Sequence, residues 1–222
     1  MVCLYCDTFQ TRAPSENYLV GLVNIRRHLH AKHRAEVAKA NAPWQTWAEY
    51  NSAPVAAHIE RCFKHVDVSS PGRGTGVDLL LTDRRHRRAV GLQVKLSNYV
   101  QFGRPEYEKR LRACGYWNID RNKLHDSPAD YWVLLLQGLA ARSEDYVVVV
   151  PPAELWRRLQ NRWPGGHRVH VFLWVTKDER CWDTLELSKD NVDRIFSSEY
   201  DEPEREYTEW LNNWKPIARL NR

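Results

Sequence analysis

Long apolar runs are missing from this chain: no stretch of its 222 residues approaches the ~20 consecutive apolar positions that a membrane-crossing helix needs. The N-terminus has no apolar core of the kind a secretory signal peptide carries. Cysteine is scarce, with five in all, and Cys62, Cys114 and Cys181 stand alone and read as small buried hydrophobes rather than a disulfide framework. No internal repeat is present, which removes solenoid and propeller architectures. These absences predict a non-membrane protein held in a reducing, cytoplasmic compartment.

What is present fits a packed domain with a small appendage. An apolar content of 43% is enough for a real core. The net charge is only +5 but is unevenly spread. Arg61 to His125 holds 14 Lys/Arg against 6 Asp/Glu, a balance of +8, whereas Asp190 to Arg222 holds 5 against 8, a balance of −3. A basic middle and an acidic end suit a chain that handles a polyanion through its centre.

The basic zone contains the most informative pattern. Val77 to Thr82 (VDLLLT) and Ala89 to Leu96 (AVGLQVKL) are short, apolar runs joined by a charged turn, which predicts an antiparallel hairpin. With the turn centred on His86, Asp78 lies across the ladder from about Lys95, where facing side chains approach to roughly 5 Å. Asp78, Gln93 and Lys95 then gather at one end of an apolar sheet. Polar groups are costly to bury unless paired or bound to a metal, so the gathering asks for a chemical reason.

The stretch Gly72 to Asp78 (GRGTGVD), fourteen intervening residues and Gln93-Val94-Lys95 resemble the PD-(D/E)xK nuclease superfamily, in the Mrr-like variant with glutamine in place of the second acid. The resemblance implies an α/β, restriction-endonuclease-like core, a mixed sheet flanked by helices, that cleaves DNA phosphodiester bonds with Mg2+. It implies Asp78 as metal ligand, Gln93 as weaker neutral ligand, and Lys95 as the group that orients water or stabilises charge. An acid on the preceding helix often completes such sites, with Glu60 the first candidate and Glu49 the second. By the same resemblance the substrate is duplex DNA, the setting restriction or phage defence, and a homodimer a plausible means of cutting both strands. Hard oxygen donors suit Mg2+, and a lysine suits charge developing on phosphorus.

Around this motif the remaining segments divide the chain into a zinc-finger module over 1–40, a nuclease core over 41–185 and an acidic, helical extension over 186–222 packed on the core. Helices are expected over Pro54 to Lys64, Glu106 to Cys114 and Ala153 to Gln160, and strands over Ala129 to Gln137, Asp145 to Val150 and Val169 to Thr176. Gly115 to Lys123 reads as an irregular aromatic and basic loop, and Tyr207 to Trp214 as an amphipathic helix. Arg73, in the approach to Asp78, and Lys123 are the expected contacts to DNA phosphates. The Arg84-Arg85-His86-Arg87-Arg88 turn sits roughly 26 Å of strand away from Asp78 and reads first as a solvated tip.

The first 35 residues hold an independent pattern, Cys3-x2-Cys6 followed by His28-x4-His33. It resembles a Cys2His2 zinc finger with 21 residues rather than about a dozen between the pairs. Leu19 and Ile25 supply the apolar spacing of the helical half. A module this small lacks the apolar surface to fold alone, and a tetrahedral Zn2+ supplies that energy directly. His30 lies between the two candidate histidines and stands as an alternative to His28. Metal analysis of the purified chain is expected to find one zinc per molecule, lost in Cys6→Ser; unchanged zinc content in that variant contradicts the ligand set.

Overall fold

The computed structural model describes residues 47–71, 74–97, 105–139 and 146–221. The zinc candidates Cys3, Cys6, His28, His30 and His33 and the expected phosphate contact Arg73 lie outside them. The described chain is α/β, a mixed sheet with helices on its faces, and among its helices none is long and apolar enough to cross a membrane.

Helix α1 (Trp47–Cys62) starts earlier than expected and carries Pro54 inside it. The missing Pro54 N–H removes one helical bond. Packing compensates, because Val55 and Ile59 are fully buried one turn apart. Strands β1 (Val66–Ser69), β2 (Leu79–Asp83) and β3 (Ala89–Leu96) form an antiparallel meander. The chain then makes one helical turn, α2 (Pro105–Glu108), runs along β4 (Leu111–Asp120) and turns through α3 (Arg121–His125) into β5 (Tyr131–Gly138). β6 (Tyr146–Val150), α4 (Pro152–Gln160), β7 (Arg168–Thr176), β8 (Cys181–Asp183), α5 (Lys189–Phe196) and the short α6 (Lys215–Ala218) follow.

The strand order is β1-β2-β3-β5-β4-β7-β8, with β6 also paired to β5. β5 joins two halves. Its first five residues run parallel to β3, Leu92 beside Tyr131 and Leu96 beside Leu135, while its last two pair antiparallel with β4. Alternate residues of β5 and β6 therefore face different cores. Trp132, Leu134, Val148 and Val150 meet Trp117, Ile119, Val171 and Leu173 of β4 and β7. Val133, Leu135, Val147 and Val149 meet α1 through Ile59 and the β2–β3 hairpin through Leu81 and Leu92.

Two expected elements differ. Glu106 to Cys114 is helical only over α2, and the segment from Leu111 onward is a strand, so the expected loop from Gly115 is its continuation. Tyr107, Leu111 and Cys114 match helical spacing, but Leu111, Ala113, Trp117 and Ile119 are also buried along one long strand that pairs with β7 over its whole length. Tertiary pairing overrides the local signal. Tyr207 to Trp214 is likewise a 3-10 turn (Thr208–Trp210) rather than a helix. There Leu211 bridges to Val148 and the Asn212 N–H donates to the Val147 carbonyl at 2.7 Å, so the tail adds to the β6 edge.

The acidic tail is pinned by arginines. Buried Arg158 donates to the Glu154 carboxylate at 2.8 Å and to the carbonyls of Pro203 and Glu206 at 2.6 and 2.9 Å, and Arg180 reaches the Glu206 carboxylate at 3.1 Å. Of the eight acidic side chains between Asp190 and Arg222, Glu202, Glu204, Glu206 and Glu209 meet arginines of the same chain.

One glycine links the two halves of the sheet. A Cβ on Gly115 would lie 2.2 Å from the Trp117 ring, whose Nε1 donates to the Lys95 carbonyl at 3.1 Å. Gly115→Ala is therefore expected to destabilise the chain by about 1–3 kcal/mol through overpacking. Gly165→Ala, which meets nothing within 4 Å, serves as the neutral control. Urea unfolding that finds both variants equal to the parent contradicts the close approach.

Candidate active site

The site is built where β2 begins. Leu79 pairs with Leu92, so the next position of the register sets Asp78 across from Gln93 and not Lys95, two residues from the expected partner. The turn holds four residues between Asp83 and Arg88, whose backbones bond at 3.1 Å, and its centre falls before His86. A two-residue step keeps the face unchanged, so Asp78, Gln93 and Lys95 still share one side of the hairpin. Val94, between them, points to the opposite core and is 2% exposed.

The contacts follow from that register. Asp78 Oδ2 accepts from the Val94 N–H at 2.7 Å and from the Gln93 side-chain amide, Nε2. The Asp78 N–H donates to the Leu92 carbonyl at 2.8 Å, and its own carbonyl accepts from Ser70 Oγ at 3.3 Å. The carboxylate thus takes the place of the strand partner that Val94 lacks once β2 has ended. Asp78 Oδ1 accepts no hydrogen bond among the described residues.

Lys95 lies two positions on, its ammonium 5.2 Å from the centre of the Trp132 ring on the neighbouring β5. Burial pushes the Lys95 pKa below the ordinary lysine value; Asp78 opposes the shift and Lys123 adds to it. Burial likewise raises the Asp78 carboxyl, against the lowering pull of the Val94 N–H, the Lys95 charge and the Gln93 amide. Both shifts favour neutral forms, as expected when two ionisable groups leave water together without full compensation.

Lys123 is exposed on α3, near enough to repel Lys95, and its backbone N–H is capped by the Asp120 carboxylate at 3.0 Å. Asp130, just before β5, accepts from the Gly91 N–H at 2.7 Å. A Cβ on Gly91 would sit 3.3 Å from Val77, so this glycine lets the approach to Asp78 lie close on β3. Asp130 and Trp132 escaped sequence reasoning because nothing in a linear pattern announces that β5 runs parallel beside β3.

Not every candidate converges. Glu60 is exposed on α1, whose buried Val55 and Ile59 pack on the face of the sheet opposite Gln93 and Lys95, and among the described residues its side chain forms no hydrogen bond or ion pair with the three. Glu49 falls in the first turn of α1, where the backbone alone is described. Among the described residues no three His, Cys, Asp or Glu side chains gather as a metal cluster. The site therefore offers one carboxylate and one carboxamide, with an amine and a second, exposed amine beside them. No family model, curated protein or solved structure matches the chain.

The linkage has a definite sign. With its folded pKa raised, Asp78 contributes most to stability below the unfolded aspartate value of about 3.9 and loses that contribution as pH rises through its folded value. Lys95, with its folded pKa depressed, weighs against stability in full below that value, and the cost fades as pH rises toward about 10.4. NMR titration of the carboxyl carbon is expected to place Asp78 above ordinary aspartates, and higher still in Lys95→Met, which removes a lowering charge. A titration at or below the ordinary value contradicts this account of burial.

Proposed function

We propose that the chain is a metal-dependent deoxyribonuclease, an endonuclease that hydrolyses phosphodiester bonds of duplex DNA in a restriction or phage-defence setting. The observation that carries the reading is the Asp78–Gln93 contact across β2 and β3, with Lys95 on the same face. The element order supports it too: α1, a meander ending in the site hairpin, and β5 returning parallel to β3 fit a restriction-endonuclease-like core. β4 and the β7–β8 pair are then additions to that core.

The residues fit a divalent cation. Asp78 has one oxygen without a hydrogen-bond partner among the described residues, and burial disfavours its charge, a cost that a nearby cation reverses. Gln93 now presents Nε2 to Asp78; turned end for end, the amide sets Oε1 beside the carboxylate instead. Asp78 and Gln93 would then hold Mg2+, the remaining positions falling to water and phosphate, as that ion prefers. When bound, Mg2+ supplies Lewis-acid stabilisation of charge on the phosphate oxygens.

Lys95 stabilises the negative charge that grows on the phosphate as the bond breaks. The Trp132 ring and the partial burial of Lys95 exclude competing water, which strengthens that interaction. Lys123, exposed beside it, holds an adjacent phosphate. Cutting both strands takes two such sites, which a homodimer supplies.

A second reading has its own support. Asp78 satisfies the Val94 N–H whether or not a metal binds, so the same residues also suit a catalytically inert nucleic-acid-binding scaffold. Asp78→Asn separates the two, since its amide oxygen still accepts from Val94 while the charge is gone. In a plasmid nicking assay with Mg2+, Asp78→Asn and Lys95→Ala are expected to lose at least about 100-fold in rate, with the melting temperature of Asp78→Asn little changed. Gln93→Glu is expected to keep cleavage and to need less Mg2+. A parent protein that cuts none of plain, methylated or branched DNA removes the enzyme reading.

A further inference from the structure

We propose that the outer face of the β1–β2–β3 meander, together with its arginine tip, is a track for the sugar–phosphate backbone of a nucleic-acid duplex whose cut strand lies at the Asp78 site. This deepens the nuclease reading and rests on it for the identity of the polyanion. The face opposite α1 stays in solvent along the outer hairpin. Ser69 and Ala89 are exposed and Leu80 and Thr82 half-buried. The side chains there are short, and Asp67 is the carboxylate on that stretch of strand. That face is uncovered from Thr82 and Ala89 out to the turn, while nearer the site Val77 and the Asp130 carboxylate lie over Gly91.

The turn itself is fixed rather than loose. The Asp83 carboxylate accepts from the Arg87 and Arg88 N–H groups at 2.7 and 3.2 Å, the His86 N–H donates to the Asp83 carbonyl at 2.8 Å, and His86 takes the left-handed conformation at φ 51°. Arg84 Nη2 donates to the Lys64 carbonyl at 2.6 Å, which ties the tip to the end of α1, where Arg61 and Lys64 are also exposed. The side chains of Arg85, Arg87 and Arg88 form no ion pair among the described residues. Three guanidinium groups held outward on a braced turn, with further cations behind them, match a row of phosphates.

Spacing sets the reach. Arg85 lies seven positions beyond Asp78, through the five residues of β2 and the start of the turn, a span of at most about 23 Å at 3.3 Å each, or about seven base-pair steps. The tip thus grips the duplex well beyond the cut, and it supplies affinity rather than chemistry. Residues 84–88 carry no apolar side chain to enter a bilayer, which sets this surface apart from a lipid-binding one.

The test measures binding of the full chain to a labelled duplex of about 30 base pairs in the presence of chelator, over a salt series. Arg85→Ala/Arg87→Ala/Arg88→Ala is expected to weaken binding roughly 10- to 100-fold near 0.1 M salt and to lower the log K against log salt slope by about 2 to 3, and the triple lysine variant to keep the parent slope. An unchanged slope in the alanine variant overturns the track, as does arginine-dependent binding to phosphatidylserine vesicles with duplex affinity unaltered. Because no cleavage is read, the outcome is independent of the active-site assignment. Asp78-dependent cleavage with an unchanged slope removes only the track; an arginine-dependent slope in a protein that never cuts DNA keeps the track and removes the active site.

Discussion

The carboxylate of Asp78, seated on the Val94 N–H and the Gln93 amide, is the contact on which the site depends. It arises because β2 begins at Leu79, and the Val94 N–H of β3 is satisfied by the carboxylate of the residue just before that strand. A buried N–H without a partner costs on the order of 1–3 kcal/mol, so the carboxylate is held in place by the backbone's own requirement. Burial meanwhile leaves that carboxylate poorly solvated, with Lys95 as the nearby opposite charge. Stability and chemistry pull the same group in opposite directions, which is the usual signature of a functional position.

The rest of the fold serves to hold β3. On one face Ile59 of α1 and Leu135 of β5 share a core with Leu92 and Val94; on the other, Trp132 lies beneath the Lys95 ammonium. From the second half of the sheet, Trp117 reaches the Lys95 carbonyl over Gly115, and Asp130 fastens Gly91. Gln93 and Lys95 are thereby fixed from both neighbouring strands and from β4, so their geometry rests on packed elements rather than loops.

Much of this was legible in the sequence. The apolar runs of β2, β3, β5, β6 and β7 and the proline-led α4 are short-range patterns, and each was read close to its observed bounds. The joint appearance of Asp78, Gln93 and Lys95 on one face followed from strand periodicity alone, even though the register was off by two. What escaped depends on distant partners: β4 is a strand because β7 offers it nine consecutive pairing positions, and α1 with Glu60 packs on the face of the sheet opposite Gln93 and Lys95. The arginine turn is a related case, in that its spacing from Asp78 was readable but the hydrogen bonds of Asp83 that brace it were not.

In the proposed function, Asp78 and Gln93 together hold a divalent cation. The most direct measurement is anomalous diffraction from crystals grown with Mn2+ in place of Mg2+. The expected result is a peak about 2.1 Å from Asp78 Oδ1, with the Gln93 amide turned so that Oε1 faces it. Crystals saturated with Mn2+ that show no peak there, with Gln93 Nε2 still donating to Asp78, contradict it.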